Sequence, residues 1–167
     1  MRDALIRATE AAIRQVDHLR FFATERGFHG RFYCALQTQL DQEGILTDGR
    51  ILEMEYQKSG RHGLTQRPDI VLHVPAELGT SVQDNNFAVW ALKFRAGVGD
   101  AREDFRKLNE MFEHLRYPCG FFINIDSIDP MFRHYTGDFP DRVLALAVRR
   151  GRDGVEVSWQ VAAEHRE

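Results

Sequence analysis

Apolar residues recur along this chain with two different periods, and the period changes several times. Leu5, Ala8, Ala12, Val16 and Leu19 fall at helical spacing against Arg, Gln and Glu, which predicts an amphipathic helix over 3–25 whose stripe faces the core or a partner. Gly27-Phe28-His29-Gly30 is read as its break. Phe32, Leu36 and Leu40 then predict a second helix over 31–42, closed by Gly44. The next segment alternates: Leu52, Met54 and Tyr56 face one way, Ile51, Glu53 and Glu55 the other, as in a strand. Polar loops over 58–66 and 75–86 flank a buried-type strand over 69–74, and another follows over 86–94. Ala101, Phe105, Leu108, Phe112 and Leu115 form the stripe of a helix over 101–116, with Asp100 expected as its cap and Glu103 completing a capping-box-like pair. Tyr117-Pro118 ends that helix. A strand over 119–125, a short helix over 127–135 and a strand pair over 142–160 complete the order. The pattern predicts an α/β fold with a central mixed β-sheet flanked by helices, and 167 residues suffice for one domain with a sizeable core.

Charges inside the apolar runs change this picture. Asp69 opens Asp69-Ile70-Val71-Leu72-His73 and shares a strand face with Val71 and His73. Lys93 sits within Phe87-Ala88-Val89-Trp90-Ala91-Leu92-Lys93-Phe94, on the face of Phe87, Val89 and Ala91. An ammonium buried alone costs several kcal/mol or loses its proton, so Lys93 implies a polar partner or a site that uses it. Asp104 falls within the apolar stripe of its helix, whereas Glu103 and Glu110 point away.

Composition narrows the function classes only modestly. With 43% hydrophobic and 28% charged residues and a net charge of −3, the chain has no global basic signature, so nucleic acid would have to meet a local patch. Cys34 and Cys119 are too few for a disulfide framework or a zinc site and read as reduced, buried thiols of a cytoplasmic protein. The opening Met1-Arg2-Asp3 has no apolar segment behind it, and no run reaches about 18 apolar residues, so neither secretion nor a membrane span is expected.

Over about 29–125 the chain resembles the PD-(D/E)XK nuclease superfamily. The resemblance rests on Glu55-Tyr56, Pro68-Asp69, Lys93, Asp104-Phe105-Arg106-Lys107-Leu108 and Gly120-Phe121-Phe122-Ile123. It implies a restriction-endonuclease-like αβββαβ core with an extra N-terminal helix, a DNA substrate and Mg²⁺. It also implies that Asp69 holds the metal together with an acid two positions before the lysine, and that Lys93 orients or activates the attacking water. Phosphodiester hydrolysis needs such groups because a doubly charged pentacovalent centre must be stabilised and hydroxide generated locally. Position 91, where the second acid is expected, is Ala91. The substitutes available are Asp104 from the following helix and Glu55, or Glu53 beside it, from the first strand.

Two functions follow. One is a DNA-cleaving enzyme with Asp69, Lys93, Glu55 and Asp104 as catalytic residues and Asp69, Asp104 and Glu55 as metal ligands. The other is an inactive protein of the same fold that binds nucleic acid or protein, with the N-terminal helix as a surface for a partner or a second copy. Plainer roles stand beside each residue. Asp69 and Lys93 can form a buried ion pair that fixes register, Asp104 can pair with Lys93 or Lys107, and Glu53 and Glu55 can lie on a solvated strand face. His73 reads as a satisfied core or rim histidine. Arg61-His62, Arg67 and Arg149-Arg150 with Arg152 are either phosphate contacts or ordinary surface charge.

Overall fold

In a computed structural model, residues 1–54, 68–75 and 85–162 are described. They run α1 (Arg2–Arg14), α2 (Glu25–Gln42), β1 (Ile51–Met54), β2 (Ile70–His73), β3 (Asn86–Phe94), α3 (Val98–Leu115), β4 (Gly120–Ile125), β5 (Val143–Arg150) and β6 (Val155–Val161), with 3-10 turns at Leu19–Ala23, Phe132–His134 and Pro140–Arg142. The strands form one sheet in the order β1-β2-β3-β4-β5-β6. The central pairs β3/β4 and β4/β5 are parallel and the outer pairs antiparallel, so the sheet is mixed, as expected.

Strand alternation builds three layers. Ala88, Trp90 and Leu92 of β3 join Ile70, Leu72, Phe121, Ile123, Leu144 and Leu146 against α1 and α2. Val89 and Ala91 turn the other way, with Val71, Phe122 and Ala145, and meet Ala101, Phe105, Leu108 and Phe112 of α3. Leu5, Ala8, Ala12 and Val16 are buried, so the N-terminal stripe faces the core.

Several local expectations are corrected. The helix over 3–25 ends at Arg14; the chain then turns, and His18 Nδ1 accepts a hydrogen bond from Arg20 N at 3.1 Å to open the 3-10 turn. Leu19 thereby leaves the stripe and is 69% exposed. Gly27 to Gly30 do not break a helix but lie inside α2. Thr24 Oγ1 accepts from Gly27 N at 3.1 Å, and this N-cap with burial of Phe28 and Phe32 outweighs about 1 kcal/mol per glycine. In α3 the N-cap is Gly97, not Asp100; Asp100 Oδ2 accepts from Gly97 N at 3.2 Å, and Glu103 pairs with Arg106 instead. The helix expected over 127–135 is only the 3-10 turn Phe132–His134, because Ser127 Oγ and Asp129 Oδ1 take the backbone N–H groups of Asp129 and Met131 around Pro130. Cys34 is exposed, not buried, on the outer side of α2, while burial pushes the Cys119 thiol up to about 12.

A bulge re-aims the start of β3. Leu72 pairs with Ala88 but His73 pairs with Asn86, so Phe87 is the extra residue. It packs towards the α1/α2 side, under the Arg50 guanidinium at 4.6 Å, and not on the face of Val89 and Lys93 as strict alternation predicts.

Candidate active site

β3 outruns its neighbour. Val89 N donates to Cys119 O across β4, so by alternation the N–H groups of Trp90, Leu92 and Phe94 point towards β2. β2 begins at Ile70, opposite Trp90, and leaves the next two donors without a strand partner. Two carboxylates take them. Leu92 N donates to Asp69 Oδ2 at 2.7 Å, and Phe94 N donates to Glu25 Oε2 at 3.0 Å from the first turn of α2.

The side chains on the α3 face complete the arrangement. Pro68, Asp69, Ala91, Asp104, Lys107 and Met111 line a cavity of about 40 Å³, enough for a few water molecules or an ion but not for a nucleotide. Asp104 reaches it from the buried stripe of α3, where its Oδ1 accepts from Lys107 Nζ at 3.0 Å. Ala91 opens onto the same cavity. Lys93 lies one alternation further along β3, beside Asn124 of β4. It is half-buried, and among the described residues it forms no ion pair.

The carboxylates bear the cost of this crowding. Burial pushes Asp69 up to about 6, against the opposing effect of the Leu92 N–H; the charges of Asp104 and Glu25 push the same way, and Lys107 opposes them. Burial also raises Asp104, while Lys107 and then Lys93 hold it down. Asp69, Asp104 and Glu25 therefore share one field with two lysines.

Of the expected residues, Asp69 and Asp104 line one cavity, and Lys93, outside that lining, is near enough for its charge to act on Asp104. The ion pair expected between Asp69 and Lys93 does not form, and Asp104 takes Lys107 as its partner. Glu53 is directed elsewhere: its Oε2 lies 3.0 Å from Nε2 of the buried His73, across β1 and β2. Glu55, Arg61, His62 and Arg67 lie outside the described residues. Arg149 pairs with Glu156 at 2.6 Å, and Arg150 Nε donates to Asp17 O at 2.8 Å. Arg152 lies at the β5–β6 turn, away from the cavity lining. Glu25 was not among the sequence candidates. Its signal was Thr24-Glu25 as an N-cap and acidic first turn, hidden by starting that helix at 31.

Among the described residues, no three His, Cys, Asp or Glu side chains converge closely enough to hold a metal ion by themselves. No protein-family model matches the chain, and neither a curated protein nor a solved structure matches it.

Proposed function

We propose that this protein is a metal-dependent nuclease that hydrolyses DNA, with Asp69 and Asp104 as metal-holding carboxylates and Lys93 as the cation beside the attacked phosphate. The observation that carries this reading is the shared cavity of Asp69, Asp104 and Ala91: where the PD-(D/E)XK pattern has its second acid, this chain has a methyl group, and an acid from α3 opens onto the same space.

The donor set suits Mg²⁺. Both ligands are hard oxygens, and among the described residues Asp69 Oδ1 and Asp104 Oδ2 are free of hydrogen bonds. Mg²⁺ is commonly held by one or two carboxylates with the remaining positions filled by water and substrate phosphate, so a third protein ligand is not required. When bound, the ion supplies a hydroxide nucleophile and charge to match the pentacovalent centre. Leu92 N fixes the orientation of Asp69, and Lys93, which forms no ion pair among the described residues, adds positive charge that already acts on Asp104. The small cavity keeps the nucleic acid outside, with its phosphate presented to the mouth.

One observation favours a second reading, a protein of this fold that binds without cleaving: Lys107 already neutralises Asp104. Plasmid cleavage and calorimetric titration with Mg²⁺ and Mn²⁺, with and without DNA, separate the two. The enzyme reading expects metal-dependent cleavage that is lost in Lys93→Met while the fold persists, and it expects Ala91→Glu to impair activity by crowding Asp104. Wild-type protein that binds neither ion, alongside an Ala91→Glu variant that does, overturns it and leaves the binding role.

A further inference from the structure

A second concavity lies at the far end of α3, where Arg2, Arg116 and Arg142 surround a space of about 490 Å³ with Glu113, Asp141 and Phe139. This is more than ten times the cavity beside Asp69 and within the range that takes small organic ligands. The guanidinium groups come from three separate elements: the start of α1, the residue that ends α3, and the 3-10 turn before β5.

Arg7, Arg14, Arg95, Arg106, Arg133 and Arg149 all pair with carboxylates within 3 Å, whereas Arg2, Arg116 and Arg142 have no carboxylate partner among the described residues. Two are positioned by neutral acceptors. Arg2 Nη2 donates to Asp141 O at 2.7 Å, and Arg142 Nη1 donates to Tyr117 O at 3.3 Å while its guanidinium lies 4.7 Å above the Phe139 ring. Arg2 also reaches the Cys119 thiol, and with five N–H donors each guanidinium keeps others for a ligand.

We propose that this pocket binds a phosphomonoester carried on a sugar, a nucleotide being the size that fits. Planar guanidinium forks match the oxygens of a phosphate, Arg suits this task better than Lys, and three of them line this one pocket. Three arginines against two carboxylates leave a net charge of +1 in the lining, which outweighs the roughly half negative charge of the nearby α3 C-terminus. Glu113 and Asp141 repel the phosphate itself but accept hydrogen bonds from hydroxyl groups, which favours a sugar phosphate over a bare anion. The chemistry is shared by a free mononucleotide and by the phosphorylated 5′ end of a strand.

The test is calorimetric titration of the full chain with AMP, adenosine, inorganic phosphate and a 5′-phosphorylated dinucleotide. AMP is expected to bind more tightly than inorganic phosphate, and adenosine not to bind. Arg116→Gln combined with Arg2→Gln, both at exposed side chains, should weaken AMP about tenfold or more with the melting temperature retained. Asp69→Asn should leave AMP binding unchanged, so this site stands or falls apart from nuclease activity. Competition by the dinucleotide at the affinity of AMP identifies strand ends as the ligand, and failure to compete identifies the free nucleotide. Equal binding of adenosine and AMP, no AMP binding at millimolar concentration, or an arginine variant that binds AMP normally overturns the proposal.

Discussion

The two faces of the sheet are made by alternate residues of the same strands, yet they solve different problems. Towards α1 and α2, Trp90 stacks on Phe121 with ring centroids 5.2 Å apart, and its one polar atom is satisfied by Thr9 Oγ1 at 3.1 Å. That face is packed for stability. Towards α3, packing of the same quality, such as Phe105 on Phe122 at 4.7 Å, stops at Ala91 and gives way to Asp69, Asp104, Lys107 and Lys93. Charge is retained there at the expense of stability, and a region that tolerates such a cost is where function is to be sought.

Substitutions on each face sharpen the contrast. Trp90→Ala should have the largest effect, destabilising by about 3–5 kcal/mol, because it leaves a cavity and strands Thr9; denaturant titration measures it, and a loss below 1 kcal/mol would mean that the face is not the rigid one. Asp69→Asn should act in the opposite direction, stabilising by roughly 3 kcal/mol at pH 7 and, on the nuclease reading proposed above, abolishing cleavage. The sign follows from the titration: the folded carboxyl, near 6, holds its proton more tightly than the unfolded one at 3.8, so the contribution of Asp69 to stability is most favourable below about pH 4 and falls as pH rises towards 6. Asparagine keeps an acceptor for Leu92 N without the charge, so the advantage of the variant should vanish near pH 4. A constant advantage at all pH values would refute the burial argument.

Smaller effects probe the lysines. Lys107→Met should cost about 1 kcal/mol in metal-free melts, since Asp104 loses its partner, and should tighten Mn²⁺ binding by releasing Asp104 Oδ1. Lys93→Met should move stability by no more than about 0.5 kcal/mol, because the side chain is half-exposed and forms no ion pair among the described residues. A large gain in melting temperature would instead mark Lys93 as a strained relic.

Much of this was legible beforehand, for identifiable reasons. The run over 86–94 and the stripe from Ala101 to Leu115 report burial directly, and burial is what period measures; Asp104 stood out because it interrupts a stripe. The missed features depend on single polar contacts that leave no periodic trace. His18 and Thr24 reset the backbone between α1 and α2. The bulge at Phe87 is decided by strand pairing, and Glu25 enters the site only because β3 is longer than β2.

The overhang of β3 also bears on how such a protein would diverge. The backbone at Leu92 and Phe94 asks only for an oxygen acceptor, which an amide side chain provides as well as an acid. On the nuclease reading, descendants released from chemistry would tolerate asparagine at position 69, which relieves a buried charge, and glutamine at position 25, with the architecture intact. In such a lineage the amides would date the loss of activity, and the fold would carry no record of it.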